Sequence, residues 1–169
     1  MIKKISLAVL AFAALLTAGC AALRQTPEEQ ERIARLVDQR LNDRQYRIDV
    51  DYMTPRRGSG KAVTYSYSLT VDGTTVDSHL PYVGVAYSVP YGGGKVLTFK
   101  DDIDDYADSG WQKDRRIISL VTDNDEDVIV YTLTVYTNGR AYLDVRCRNR
   151  EDISYRGNLD PDEYPKGDR

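Results

Sequence analysis

The chain has 169 residues, of which 41% are hydrophobic and 29% charged, and its formal net charge is −3. This acidic balance argues against a nucleic-acid-binding protein, which needs a basic surface to displace counterions from phosphates. It also argues against adhesion to anionic lipid headgroups, so a membrane attachment would have to come from acyl chains.

The first residues have the pattern of a secretory signal. Lys3 and Lys4 form a positive segment, residues 5–16 are apolar, and small residues then lead to Cys20. The apolar run is too short for a stable transmembrane helix. We therefore predict that residues 1–19 are a signal peptide and not part of the mature fold.

Residues 16–20 read Leu-Thr-Ala-Gly-Cys and resemble the lipobox of bacterial lipoproteins, in which the cysteine is acylated and becomes the first mature residue. Thr17 departs from the usual leucine, and the alternative is an ordinary signal peptide with an incidental cysteine. We predict palmitate-type acylation of Cys20, followed by a tether over residues 20–25. Cys147 is then the one remaining cysteine, so no intramolecular disulfide can form.

The mature chain is predicted to begin with a helix. Thr26 can cap it, Pro27 suits the first turn, and Glu29 lies three residues after the cap, as in a capping box. Apolar residues then recur at helical spacing, and the helix is expected to end near Asn42. These apolar residues are Ile33, Leu36, Val37 and Leu41.

Beyond Gln45 the hydrophobic period changes to two, which predicts β-strands. Residues 46–52 alternate apolar with charged side chains, and residues 63–71 alternate apolar with serine and threonine. Both runs are typical of strands that are buried on one face.

Asp72-Gly73 predicts a hairpin after the second of these runs. A two-residue loop places Val76 on the same face as Leu69. A three-residue loop would instead place Asp77 and His79 there. Because a slip of one residue exchanges the two faces, the two-residue loop is favoured.

The sequence around Asn138-Gly139 predicts a hairpin of the other kind. A two-residue loop would place Tyr142 and several charged residues beside the apolar residues of the preceding strand. A three-residue loop, with Gly139 in the left-handed conformation, places the apolar residues there instead. This register makes Cys147 a buried, unreactive thiol. The apolar residues are Ala141, Leu143, Val145 and Cys147.

Weaker strand signals lie near residues 96–99, 115–122 and 153–159. We predict a mainly β fold of the α+β class, with the N-terminal helix packed on a curved antiparallel sheet or a partly closed barrel. The sheet should have about seven or eight strands. About 150 mature residues suffice for one core, so residues 26–159 are expected to form a single β-rich domain. We expect residues 160–169 to form a polar, flexible tail.

Four polar residues of the first hairpin have the types found in an acyl-transfer triad: Ser66, Ser68, Asp77 and His79. The predicted turn places His79 opposite Ser66 and Asp77 opposite Ser68. Their face is the polar one and offers neither an oxyanion hole nor exclusion of water. We therefore expect a solvated surface without catalytic residues, and a hydrolase that uses His79 is the remote alternative.

Acidic residues are concentrated in residues 101–108 and 123–127. The second group reads Asp-x-Asp-x-Asp, the spacing that opens a calcium loop. However, Val128 stands where an EF-hand requires glycine and Thr134 where it requires glutamate, which excludes an EF-hand. We interpret both groups as solvated loops and predict no metal site, with a looser calcium site left open.

Tyrosine is unusually common, with 13 residues against 2 phenylalanines. Tyrosine forms strands well, which explains part of this excess, and the alternative is a tyrosine surface that stacks on sugars or grips a peptide. Residues 80–94 are uncharged and include Pro81, which cannot donate to a strand ladder. We predict a crossing or edge segment over residues 82–91. Its candidate binding surface consists of Tyr82, Tyr87 and Tyr91.

Two motifs carry a resemblance to a known family. Residues 80–87 read Leu-Pro-Tyr-x-Gly-x-Ala-Tyr and residues 149–157 read Asn-Arg-x-x-Ile-Ser-Tyr-x-Gly, with the Asn138-Gly139 turn between them. In this order they resemble small lipoproteins of Bacteroidota that share a domain of unknown function, over essentially the whole mature chain. Val85 departs from the pattern, since a polar or basic residue is common there.

The resemblance implies a location in the cell envelope, no established activity, and no catalytic residues that could be carried over. It also implies sorting to the outer membrane. Residues 21–24 lack the acidic side chains that accompany export to the cell surface, which favours the periplasmic leaflet.

We therefore expect a non-enzymatic, lipid-anchored envelope protein that acts as a binding or structural accessory module near the membrane. The alternative is a periplasmic carrier or sensor of an apolar or sugar ligand, held in a cleft under the sheet. The expected partners are the membrane, through the lipid, and an envelope protein. No cofactor and no nucleic acid are expected, and the oligomeric state is left open.

Overall fold

The computed structural model describes residues 25–87, 97–124 and 126–162. The predicted lipidation site Cys20 and the candidate residue Tyr91 lie outside the described residues. The chain divides into two compact units, residues 1–32 and 33–169.

The helix α1 spans Pro27–Asn42, as the capping and spacing signals predicted. The hydroxyl oxygen of Thr26 accepts a hydrogen bond from the backbone N–H of Glu29 (3.3 Å), which satisfies one of the free donors of the first turn. In the second unit, Val37 and Leu41 are fully buried and Ile33 packs beside them. This apolar stripe fixes the C-terminal half of the helix on the sheet.

The sheet has nine antiparallel strands in the order β4-β3-β2-β1-β9-β8-β7-β6-β5 and curls into a half-barrel, which confirms the mainly β fold. The strands are β1 Gln45–Pro55, β2 Lys61–Asp72, β3 Thr75–His79, β4 Thr98–Asp102, β5 Asp105–Gln112, β6 Arg115–Asp123, β7 Val128–Tyr136, β8 Arg140–Cys147 and β9 Ile153–Leu159.

The curl follows from one short connection. β4 and β5 form the two opposite edges of the sheet, yet only Ile103 and Asp104 separate them. A three-residue step spans at most about 11 Å of extended chain, so the two edges have to approach each other at this point. Backbone N–H groups on both sides hold the connection, because Ile103 donates to Thr74 (2.8 Å) and Asp104 donates to Val121 (2.9 Å).

The edge strand β5 was not predicted, and it explains why the sheet exceeds the expected strand number. The interpretation of residues 101–108 as a solvated loop is wrong, because these acidic residues lie mainly in β4 and β5. An edge strand that is exposed along most of its length shows no hydrophobic alternation, so the period of two is missing there.

In the first hairpin the predicted residues face the core, but the turn lies at a different place in the sequence. Asp72 pairs with Thr75, so the two loop residues are Gly73 and Thr74. Val76 and Ser78 face inward and are fully buried, as the two-residue loop requires. The cross-strand partners are displaced by two positions from the prediction, which leaves the faces unchanged.

The second hairpin confirms the predicted three-residue loop, residues 137–139. Ile129 pairs with Cys147 and Val135 pairs with Ala141. Gly139 has φ +82°, and a Cβ atom there would lie 2.7 Å from the carbonyl oxygen of Leu159. Glycine is therefore required at this position both by the backbone conformation and by the contact.

Polar side chains around one buried arginine connect the helix to the edge of the sheet within the second unit. The buried guanidinium of Arg116 donates to Asp108, to Asn42 (2.8 Å) and to Asp38 (3.3 Å), and the indole N–H of Trp111 donates to Asp38 (2.6 Å). Partial burial opposes ionisation of Asp108, but the hydrogen bonds and charge of Arg116 outweigh it and lower the pKa of that carboxyl group.

Candidate functional site

The residues that follow β3 form a short crossing element, which we call the 80–87 segment. Its first residue, Leu80, is buried and donates its backbone N–H to Leu97 (3.0 Å). At its other end Ala86 forms an antiparallel bridge with Arg150. The backbone N–H of Tyr87 donates to Asn149 (2.7 Å), and that of Glu151 donates to Val85 (3.0 Å). The two motifs of the sequence analysis are therefore hydrogen-bonded to each other.

Two tyrosine hydroxyls fix the segment further. Tyr155, on β9, donates to the carbonyl oxygen of Pro81 (2.7 Å), and Tyr82 donates to that of Glu151 (3.0 Å). Desolvation raises the pKa of Tyr82 above its ordinary value. A Cβ atom at Gly84 would lie 2.5 Å from the Tyr82 hydroxyl, so glycine lets the chain close over the ring.

Buried charges lie beneath this contact. Arg150 and Glu151 are each only 3% exposed. Arg150 lies 3.5 Å from Glu126 and 3.8 Å from Asp127 between charged atoms. Glu151 lies 3.0 Å from the Nε atom of Arg57, and its other carboxylate oxygen accepts the backbone N–H of Val85 (3.2 Å). Because charges are costly to bury without partners, this network fixes the position of the segment.

The outer side of the segment is apolar and exposed. Among the described residues, four large hydrophobic side chains are exposed, and three of them belong to this one segment. Val83 is 43%, Val85 50% and Tyr87 63% exposed. A small apolar surface on a backbone fixed by buried polar contacts is typical of a recognition surface.

The structure separates the predicted surface residues from one another. Tyr87 is exposed, whereas Tyr82 turns inward and packs against the core as an anchor. Val83 was not predicted to be a surface residue, and Val85 was noted only as a departure from the motif. They alternate with a spacing of two residues, a pattern that normally marks a buried face, so no local signal in the sequence predicts their exposure.

The polar residues of the first hairpin do not pair as predicted. His79 lies opposite Ser68 rather than Ser66, and Asp77 lies opposite Thr70 rather than Ser68. The displacement follows from the position of the turn. Asp77 and His79 are exposed while Ser68 is buried, and the imidazole of His79 lies 5.2 Å from the ring of Tyr67.

The second acidic group divides between two environments. Asp123 ends β6 on the exposed side, whereas Asp127 is buried beside Arg150 and accepts the backbone N–H of Asn149 (3.0 Å). Residue 125 lies outside the described part of the chain. Within the described ranges, no group of three His, Cys, Asp or Glu side chains is arranged to hold a metal ion.

Cys147 is a partly buried free thiol, and we expect it to react slowly in the native protein. Burial raises its pKa from 9.0 to about 12, and the charge of Asp127 adds to this rise. Because the thiolate is the nucleophile, its fraction at neutral pH should fall about 1000-fold. Titration with a disulfide reagent at pH 8 should show slow labelling in buffer and fast labelling in denaturant. Equal rates in the two solutions would contradict a protected thiol.

Comparison with known proteins gives a family and a similar fold. A domain of unknown function, DUF4251, matches residues 28–159. The crystal structure of a DUF4251 family protein from Bacteroides eggerthii superposes with a TM-score of 0.52 at 16% sequence identity, covering 75% of this chain and 86% of that one. The comparison with curated proteins gives no match. The family model spans all nine strands and all but the first residue of the helix, so the resemblance to a family of unknown function is confirmed and the chain belongs to the DUF4251 family.

Proposed function

We propose that this chain is a lipid-anchored module of the bacterial cell envelope that binds a partner protein through Val83, Val85 and Tyr87. The observation that carries the proposal is the combination of exposed apolar side chains with a backbone held by buried charges. A surface that is already ordered loses little conformational entropy on binding, which favours affinity from a small area.

The sequence supports the anchor. The apolar run and the lipobox-like residues 16–20 direct acylation to Cys20, at the periplasmic leaflet of the outer membrane. No helix among the described residues is long and apolar enough to cross a membrane. The five residues between Cys20 and Thr26 reach less than about 20 Å, which keeps the domain beside the membrane. The partner is then an envelope protein in, or next to, the same membrane.

The composition of the inner face favours this proposal over a carrier of an apolar or sugar ligand under the sheet. Large side chains that are fully buried occupy the inward positions of β1, β2, β6, β7 and β8. They include Ile48, Leu69, Leu120, Leu133 and Leu143. Among the described residues, such side chains form a packed core, which favours a surface binding role over a lined cleft.

The proposal also assigns no catalytic residue. His79 is exposed on a strand next to an edge strand, a place that does not exclude water from a reacting group. A non-enzymatic binding role accounts for the exposed apolar surface and requires no catalytic function of His79.

Site-specific photo-crosslinking in native envelopes tests the proposal. A photoreactive phenylalanine analogue at position 85 should give one discrete crosslinked partner, because this position lies at the centre of the apolar surface. The same analogue at Lys100, which is exposed on β4, is the matched control and should not give that product.

A variant of Cys20 tests the predicted lipid anchor in the same experiment. Cys20→Ala should move the protein from the membrane to the soluble fraction and reduce the crosslink to a membrane-bound partner. Retention of this variant in the membrane would contradict the lipid anchor. Identical products from positions 85 and 100, or none from position 85, would contradict the binding surface.

A further inference from the structure

A polar groove lies on the outer face of the sheet, where β8, β9 and β1 are neighbours. It has a volume of about 310 Å³, which is at the lower end of the range for small-ligand sites. Its lining combines one aromatic ring with charged and amide side chains. The lining residues are Asp51, Arg140, Tyr142, Arg156, Gly157 and Asn158.

A β-bulge builds one wall of the groove. Val50 pairs with Gly157 and Tyr52 pairs with Arg156, so Asp51 has no partner of its own on β9. Bulges of this kind redirect a side chain and often lie beside functional sites. The carboxylate of Asp51 accepts a hydrogen bond from Arg156 (3.1 Å) and a longer one from Asn158 (3.5 Å).

The opposite wall presents an aromatic platform. Tyr142 is 45% exposed and stands between Thr134 on β7 and Arg156 on β9. The ring of Tyr136 meets it edge-on, with 6.1 Å between the ring centroids, and this contact limits rotation of Tyr142. An exposed, oriented ring offers its face to a flat apolar surface such as the C–H face of a pyranose.

The charges in the groove select for one negative group. Arg156 is neutralised by Asp51 (3.1 Å) and its guanidinium lies 5.0 Å from the centre of the Tyr52 ring. In the described part of the chain, the guanidinium of Arg140 has no ion-pair or hydrogen-bond partner. The groove thus carries one uncompensated positive charge, in the planar geometry that binds a carboxylate through two hydrogen bonds.

We propose that this groove binds a carboxylate-bearing saccharide of the uronic acid type. The ring of Tyr142 stacks on the sugar face, Arg140 binds the carboxylate, and Asp51 and Asn158 supply an acceptor and a donor to the hydroxyls. The groove contains none of the residues of the 80–87 segment. A test of sugar binding in the groove is therefore independent of a test of partner binding by that segment.

Titration calorimetry with the purified full chain tests this proposal. Trigalacturonate is the probe, and the matching neutral trisaccharide of galactose measures the contribution of the carboxylate. Wild-type protein should bind trigalacturonate saturably and at least about tenfold more tightly than the neutral sugar, since one charge-assisted contact distinguishes them.

Three variants and one control assign the contacts. Tyr142→Ala should weaken binding about tenfold, whereas Tyr142→Phe should retain it, because the platform needs the ring and not the hydroxyl. Arg140→Gln should abolish the preference for the acidic sugar. Arg146→Gln is the matched control, an exposed arginine on the same strand outside the groove, and should bind like wild type. Thermal denaturation curves should show all four variants folded.

Two results would overturn the proposal. One is equal affinity for the acidic and the neutral trisaccharide, or no saturable binding of either at millimolar concentration. The other is tighter binding of an acetylated dipeptide with a free carboxylate, which would assign the groove to peptide carboxyl groups instead of sugars.

Discussion

Replacing Arg150 by methionine is expected to destabilise the protein by about 3–5 kcal/mol, because it removes one member of a buried charge network. Arg150 is 3% exposed, and its charge is the one that faces the buried carboxylate of Asp127. Methionine keeps the apolar stem of the arginine but lacks the guanidinium, so the loss combines the missing charge with the buried space that the guanidinium filled. Urea denaturation followed by the fluorescence of the single tryptophan, Trp111, measures the effect.

Two further variants show whether the loss of stability comes from the buried charge network. Arg148→Met changes an exposed arginine two residues away and should shift stability by less than about 0.5 kcal/mol. Adding Asp127→Asn to Arg150→Met should restore part of the lost stability, because the buried carboxylate that lost its cation is then replaced by a neutral amide. Equal losses for Arg148→Met and Arg150→Met would show that the buried network does not contribute to stability.

Gly157→Ala is expected to cost about 3 kcal/mol or more, because the new methyl group has no room. A Cβ atom at this position would overlap the carbonyl oxygen of Asp49 and meet the Cα atom of Val50 at 3.1 Å. Both are backbone atoms of the neighbouring strand, so a rotamer change cannot relieve the overlap. The free energy of unfolding in urea would show the loss, and hydrogen exchange would locate it between β1 and β9.

Gly110→Ala separates this contact from an effect of the backbone conformation. Gly110 has φ +65°, and no atom lies within 4 Å of the place that a Cβ atom would occupy, so alanine there should cost only about 1–2 kcal/mol. If Gly157→Ala were no more harmful than this variant, the close approach of β1 to β9 would not be a constraint on the sequence.

Much of the fold could be predicted because its strands alternate in hydrophobicity. The first hairpin has a two-residue loop and the hairpin at Gly139 has a three-residue loop. Both loop lengths follow from the requirement that the apolar residues of paired strands lie on the same face of the sheet. The helix could also be predicted, because its capping residue Thr26 and the helical spacing of Val37 and Leu41 are visible in the local sequence.

The rest of the fold depends on contacts that no local pattern shows. The strand β5 is an edge, so its side chains lack the alternation that marks a buried face. The exact residue pairs across the first hairpin depend on whether the turn begins at Asp72 or Gly73. Both turns place the same side chains on the inner face of the sheet. Alternation therefore cannot distinguish them.

The candidate site was predictable only in part. A resemblance to a family drew attention to both motifs, but not to their contact through Ala86 and Arg150. Arginine and glutamate are usually exposed, so burial of Arg150 and Glu151 could not be expected without knowing which charges surround them. For the same reason Tyr82 was expected on the surface, although its hydroxyl donates to a backbone carbonyl.

The order of the strands has a consequence for how the domain folds. β1–β4 and β5–β9 are two series in which each strand pairs with the next along the chain. Among the pairings between the nine strands, the one that joins the two series is β1 with β9, which places Ile48 opposite Leu159. Local hairpins form in microseconds, whereas a contact of such high sequence separation has to close a long loop first. We therefore expect the β1–β9 pairing, which includes Gly157, to form late and to limit the folding rate.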